Sequence, residues 1–319
     1  MDRPVLVLGA FGSFGGAMAL ALAAQGRRVR TLARNPARRP AWLAHPFIET
    51  SAGDALDQAA VRAAAAGCEA IVHGVNYPYH QWVPNMRAVT ENVIAAARTH
   101  AALIVFPGNV YGFGAQTGRP LDESAPMRPN SRKGRLRVEI EVLLRAATED
   151  GGARVLILRA GDYFGPTVRN GLVDRIFGNA ARGKPMEVFG RLDVAHQWAY
   201  VPDLARIGAE LMAPPGALRR FEVVHFAGYV APTQSAFLDA VARAAGLAKS
   251  HVRRLPWWAV RAMAVFNPVV RELLELRYLF DQAVIIDDSR RRALLPGFVA
   301  TPLAEAIAAT VQSYRNPTP

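Results

Sequence analysis

The stretch VLVLGAFGSFGGAMALALAAQG, residues 5–26, decides how the rest of the chain is read. It opens on a short run of valine and leucine, passes through glycines at 9, 12, 15 and 16, and continues as an alanine- and leucine-rich segment that stops at Gly26. The first run has the make-up of a buried strand, and the later segment that of a helix closed by a glycine cap. RVRTLA, residues 28–33, returns as a second strand, which completes a βαβ unit. Glycines at three-residue steps let the backbone come close to a ligand. The turn Gly9, Phe11, Gly12, Ser13, Phe14 can then meet a pyrophosphate with its amides and the positive end of the helix, while Gly15 lets helix and strand pack tightly. A turn with a purely structural purpose is the competing reading, and the strand–turn–helix setting weighs against it.

From Pro4 to Gly26 there is no charge, so the segment taken alone resembles a signal peptide or a membrane span. Its four glycines fit a phosphate-binding turn better, which predicts a cytoplasmic protein without a transmembrane segment. Of the 319 residues, 51% are hydrophobic and 20% charged, an ordinary globular balance with material for a sizeable core. The net charge is +12, but 35 Arg stand against three Lys, and the basic residues fall in scattered pairs without a long tract or aromatic stacking motif. That pattern points to a solvated surface, not a nucleic-acid face. The single cysteine, Cys68, excludes an intramolecular disulfide and a cysteine-based zinc site, and no histidine–carboxylate spacing resembles a metal centre.

Further along, EAIVHGV (69–75), ALIVF (102–106) and RVLILRA (154–160) are continuous apolar strands that alternate with helical segments. This predicts an α/β fold, a doubly wound parallel Rossmann sheet covered on both faces. After GDYFGP (161–166) the elements shorten and prolines become frequent. The expected organisation is a nucleotide-binding domain over residues 1–165 and a smaller mixed C-terminal substrate lobe over 166–319, with some segments returning to the first domain. At the end of the second strand, where a ribose-binding carboxylate is usual, the chain has Arg34. A guanidinium there suits a 2′-phosphate, so NADP is expected in preference to NAD.

The chain resembles the extended short-chain dehydrogenase/reductases, the NAD-dependent epimerase/dehydratase family, over nearly its full length. The motifs are GAFGSFGG (9–16), GDALD (53–57), VYG (110–112), LRAGDYFGP (158–166), WAYVPDLARI (198–207) and the tail from Ile286 to Tyr314. The resemblance implies that Asp54 lies near adenine, and that Gly74, Pro107 and Tyr163 line the cofactor; His73, at the end of the fourth strand, reads as a core or cofactor-lining histidine. It also implies a Ser or Thr after the fifth strand and a Tyr-x-x-x-Lys helix, in which tyrosine exchanges the substrate proton while hydride moves. Here the chain departs: Pro107 stands at the serine position, Asn109 is the nearest polar side chain, and no tyrosine is followed four residues later by lysine. In the helix SRKGRLRVEIEVLLRAA (131–147), a stripe of Leu136, Ile140, Leu143 and Ala147 puts Lys133 inward and Arg135 well off the stripe.

Lys133 is therefore the first candidate for ribose binding and proton transfer, with Tyr111 the second and Asn109 a group that could polarise a carbonyl. HGVNYPYHQW (73–82) reads as a substrate loop or a packed surface loop. LPWWAVRAMAVFNPVVRELLELRYLF (255–280) reads as helical lobe packing, with a hydrophobic substrate roof or a membrane-surface contact as alternatives. Two functions follow: an NADP-dependent oxidoreductase or epimerase-like enzyme acting on a hydroxyl or carbonyl of a small molecule through a variant active site, or a catalytically silent NADP(H)-binding sensor. The resemblance further implies a homodimer through residues 85–100 and 131–148.

Overall fold

The computed structural model describes residues 3–149, 152–212 and 218–316. Its strands in chain order are β1 (Val5–Leu8), β2 (Val29–Ala33), β3 (Ile48–Ala52), β4 (Ala70–His73), β5 (Leu103–Asn109) and β6 (Arg154–Ala160), then β7 (Asp162–Phe164), β8 (Met186–Phe189), β9 (His196–Tyr200), β10 (Phe221–Phe226), β11 (Tyr229–Ala231) and β12 (Val252–Leu255). Four helices matter most for the site: α1 (Ser13–Ala24), α2 (Gln58–Ala64), α3 (Trp82–His100) and α4 (Arg132–Glu149). Seven strands form one parallel sheet in the order β10-β6-β5-β4-β1-β2-β3. The chain winds outward from β1 in one direction and from β4 in the other, so the carboxyl ends of β1 and β4 flank a crevice.

Alternation along β1 divides the apolar side chains between two cores. Val5 and Val7 join Met18 and Leu22 of α1 and Leu204 and Ile207 of the helix Val201–Leu211. Leu6 and Leu8 face Val61 of α2, Val89 and Val93 of α3 and Ile140 of α4. Each such side chain, fully buried, stabilises the fold by roughly 2 kcal/mol. Both faces of the sheet are thus covered, which is why its strands read as continuous apolar runs.

Segments after residue 165 return to this layer: β10 extends the sheet beside β6, and the helix Val201–Leu211 lies on α1. The remainder builds smaller sheets, β11-β9-β7 and β12-β8, together with the helices Trp257–Phe266 and Pro268–Leu274. An aromatic cluster joins the three-stranded sheet to the adjoining helix, with Trp198 stacked on Phe237 at 4.4 Å between ring centroids. Among the described residues no helix is long and apolar enough to cross a membrane. Cys68 is buried, its thiol directed at the Ala64 carbonyl at 3.6 Å.

Two histidines sit in the sheet as neutral rings. The Thr90 hydroxyl donates to the Met86 carbonyl at 2.7 Å, so its oxygen accepts from His73 Nε2–H at 3.0 Å, and His73 Nδ1 is left without a partner among the described residues. Burial, reinforced by the Arg137 cation, pushes the His73 pKa down to about 3. Burial and then Arg159 push His225 of β10 down to about 3 as well. Unfolded, both rings take up a proton near pH 6.5; folded, they refuse it until about pH 3. The unfolded chain therefore binds more protons across that window, and stability should fall as the pH drops through it. Urea denaturation at a series of pH values should show this loss, and His73→Leu should remove about one proton from its slope. An unchanged slope would show that His73 is not held neutral.

Candidate active site

The cleft begins where β1 turns into α1. Gly9 has φ +73°, and a Cβ built there would lie 2.4 Å from the Gly74 carbonyl oxygen at the end of β4. A Cβ on Gly15 would lie 2.4 Å from the Gly9 oxygen. These contacts exclude side chains and bring the first turn of α1 down onto the crevice between β1 and β4. Gly12 is the cap residue of α1 and supplies no side-chain hydrogen bond, so the helix begins with uncapped amides at the cleft. Gly9, Phe11, Gly12, Ser13 and Phe14 all line it. The uncapped positive helix end and the side-chain-free floor fit the pyrophosphate of a dinucleotide. The cleft has a volume of about 1320 Å³.

At the ends of β2 and β3 the lining consists of Arg34, Asn35, Arg38 and Asp54. Asn35 caps the short turn Pro36–Arg38 by accepting from the Ala37 amide, which fixes where the two arginines leave the backbone. Asp54 accepts from the Leu56 amide at 3.0 Å, an Asx turn that holds its carboxylate in place.

The other end of the cleft forms where β5 outruns β4. Their ladder ends at Val72–Val105, whereas β5 follows β6 to Asn109–Ala160. Pro107 thus sits where β5 has a strand on one side only, and its missing N–H is tolerated. Its carbonyl accepts from Arg137 of α4 at 3.3 Å. The Arg137 guanidinium lies 4.6 Å from the centroid of Trp82 and 5.3 Å from that of Phe106, and its Nε has no partner among the described residues. Burial pulls its pKa below the usual guanidinium range.

Beside it the hydroxyls of Tyr79 and Tyr111 meet at 3.1 Å. Burial pushes both phenols above their ordinary range, so each remains protonated at neutral pH and can donate. Asn109 accepts from the Tyr111 amide at 3.0 Å, which leaves its amide nitrogen to the cleft. The Tyr163 hydroxyl lies 3.5 Å from the Gly108 carbonyl, and burial raises its pKa too. Asp162 lines the cleft and is held by His196 Nε2 at 2.8 Å.

Of the residues selected from sequence, Arg34, Asp54, Gly74, Pro107, Asn109, Tyr111 and Tyr163 share this cleft with the glycine turn. Three are elsewhere. Gly15 acts behind the turn as a packing position. His73 is fully buried in the sheet and does not line the cleft, because alternation along β4 puts its ring with Ile71 on the α3 side, where Thr90 bonds it. Lys133 faces inward as its stripe requires, and is 3% exposed, but its ammonium does not open to the cleft. It donates to the Glu272 carbonyl at 2.8 Å, to the Glu272 carboxylate at 2.5 Å and to the Glu275 carboxylate at 2.6 Å, so all three of its protons are engaged. Glu275 also accepts from the amides of Arg132 and Lys133 and so caps α4 from the far end of the chain.

The cleft-facing cation is Arg137, one helical turn beyond Lys133. It lies four residues after the inward-facing Lys133, and that step along one helix face was the available signal for it. Tyr79 and Trp82 come from the 73–82 loop, which Trp82 Nε1 closes by donating to the Tyr77 carbonyl at 2.8 Å.

Comparison with known proteins gives consistent results. Residues 5–225 match the model of the NAD dependent epimerase/dehydratase family. An uncharacterized protein, y4nG, of Sinorhizobium fredii is 29% identical over 209 residues, covering 64% of this chain. The chain spans about half, 52%, of the length of that curated relative. Among solved structures, WbmH of Bordetella bronchiseptica in complex with NAD+ superposes with a TM-score of 0.76 at 22% identity, covering 98% of this chain and 99% of that one. UDP-glucose 4-epimerase of Thermotoga maritima with UDP-glucose gives 0.78 at 16% identity, with coverage of 98% and 99%. At such identities the likeness is one of fold.

The two α4 cations differ in their surroundings, and their removal should differ accordingly. Lys133→Met leaves Glu275 without its counter-charge and Glu272 with only Arg132 at 3.8 Å, and should cost about 3 kcal/mol. Arg137→Met removes a buried cation held by one hydrogen bond and ring faces, and should be nearly neutral or stabilising. Urea denaturation of the two variants at pH 7 makes the comparison; equal losses would contradict it.

Proposed function

The chain belongs to the NAD dependent epimerase/dehydratase family, and from that membership we propose an NADP(H)-dependent oxidoreductase or epimerase-like enzyme acting on a hydroxyl or carbonyl of a small molecule. The observation that carries this reading is the convergence of the Tyr79–Tyr111 phenol pair and the Arg137 guanidinium in the same cleft as the glycine turn. The NAD+ of WbmH and the UDP-glucose of the Thermotoga maritima epimerase lend support to a dinucleotide and a small-molecule substrate.

Bound NADP(H) supplies or accepts the hydride. Within the chain, Tyr111 gives a proton to the developing alkoxide, and Tyr79, in contact with it, holds or replaces that proton. The Arg137 cation lowers the energy of the phenolate left behind, which burial alone disfavours. Asn109 directs its amide at the substrate oxygen. Lys133, first in the sequence ranking for proton transfer, becomes a positioning residue in this proposal, since its three protons are taken by Glu272 and Glu275. The same saturation, with Pro107 at the serine position, favours a second reading: a protein that binds NADP(H) and signals its presence without turnover.

NADP selectivity rests on Arg34, with Arg38 beside it in the cleft and no carboxylate at the end of β2. Titration should show NADPH binding more tightly than NADH, with Arg34→Asp lowering NADPH affinity roughly tenfold to a hundredfold. NADPH oxidation with a panel of aldehydes, ketones and nucleotide sugars should be slow in Tyr111→Phe and retained in Lys133→Arg. Tight NADPH binding with no turnover across the panel would favour the sensor, and equal affinity for the two cofactors would remove the NADP assignment. A homodimer through α3 and α4 belongs to the same proposal. The two helices lie side by side, linked by Arg87–Glu139, and Val142 is 60% exposed beside them. Sedimentation of a monomer at micromolar concentration would rule that pairing out.

A further inference from the structure

We infer that the substrate half of the cleft takes an apolar alcohol or ketone in preference to a sugar nucleotide. The inference rests on the oxidoreductase reading above and narrows its substrate class. The wall built by residues beyond 185 presents Phe189, Leu255, Met263, Leu273, Leu276 and Leu279 to the cleft. It is a packed wall: Phe189 stacks on Trp257 at 5.9 Å and meets Phe280 edge-on at 5.7 Å. Hydroxyls of a hexose set against these side chains would lose water without gaining partners, whereas an alkyl chain or fused ring would gain by leaving water.

The charged groups near this wall point the same way. A diphosphate needs unclaimed cations. Arg169 already donates to the carbonyls of Pro166, Val168 and Ser313 and lies 4.0 Å from the Tyr314 ring centroid. Arg175 is paired with Glu187, which Arg253 shares. Asp162, also in the cleft, adds a carboxylate that would repel a phosphate. Arg34 and Arg38 lie at the end assigned to the cofactor. At the β5 end the substrate meets a compact polar group formed by Asn109, Tyr111 and Arg137, and across from it the apolar wall of Phe189, Leu255, Met263, Leu273, Leu276 and Leu279. That arrangement matches one oxygen function on a hydrophobic skeleton.

Calorimetric titration of the NADPH-loaded protein with the n-alkan-1-ols from butan-1-ol to decan-1-ol, and with UDP-glucose, tests this. Affinity should rise roughly fourfold per methylene, and UDP-glucose should bind more weakly than decan-1-ol. Leu273→Asn should weaken decan-1-ol binding about tenfold while NADPH affinity stays unchanged, which also reports that the variant is folded. Trp258 and Phe266 lie on the outer surface of the helix Trp257–Phe266, at 73% and 90% exposure. Trp258→Ser/Phe266→Ser should leave decan-1-ol affinity as it was. Tighter binding of UDP-glucose, affinities independent of chain length, or a loss that follows the Trp258/Phe266 pair instead of Leu273 would each overturn the proposal. Repeating the alkanol series on cofactor-free protein separates this result from the cofactor reading, because the chain-length dependence is read there without NADPH.

Discussion

Three backbone segments meet within the width of a methyl group at Gly9, Gly15 and Gly74. A Cβ on Gly74 would lie 2.8 Å from the Leu8 oxygen and 2.9 Å from the Gly15 Cα, and the other two positions are closer still. This approach draws α1 down between β1 and β4, where the winding of the sheet reverses. The uncapped amides at its start then face the crevice, and the ends of β2, β3 and β5 fall into place around it. No side chain does this work. Any residue larger than glycine at position 9 or 15 would push α1 off the sheet and separate the cofactor end of the cleft from its chemical end.

At the chemical end the problem is electrostatic. Arg137 is buried without a paired carboxylate among the described residues, and its charge rests on the faces of Trp82 and Phe106 and on one carbonyl. The nearby phenols are driven toward their protonated form by burial and drawn back by that cation. Lys133, one turn earlier, is fully neutralised by Glu272 and Glu275. A single helix therefore presents one cation to the cleft and delivers another to the C-terminal lobe. The two differ in partner, not in depth.

Much of the fold was legible in the chain because it depends on local patterns. The glycine turn, the apolar strands and the inward face of α4 at Lys133 all follow from spacing and periodicity. The partners of Lys133 did not, since Glu272 and Glu275 lie some 140 residues later and carry no local mark. Arg137 was hidden by composition: among 35 arginines, one more inside a helix reads as a solvated charge. The actual stripe of buried positions, Lys133, Leu136, Arg137, Ile140 and Leu144, includes it, whereas the stripe drawn from hydrophobic residues alone runs through Leu143 and passes it by. His73 misled for a related reason. Its place at the end of β4 allowed a core or a cofactor-lining ring, and alternation along the strand puts it with Ile71 on the α3 side, where Thr90 meets it.

The carboxylates around Lys133 also constrain how the site can change. Writing the family's Tyr-x-x-x-Lys pattern into positions 133 and 137 is simple on paper. In this chain it would leave Glu275 against a neutral ring and Glu272 with only Arg132 at 3.8 Å, and it would strip the N-terminus of α4 of the charge balance that its cap maintains. The exchange becomes tolerable only after the glutamates have changed, and neither change is favourable while the lysine remains. The site is thus entrenched: three residues on two distant segments, Lys133, Glu272 and Glu275, hold one another in their present state, and a change at any one of them is opposed by the other two.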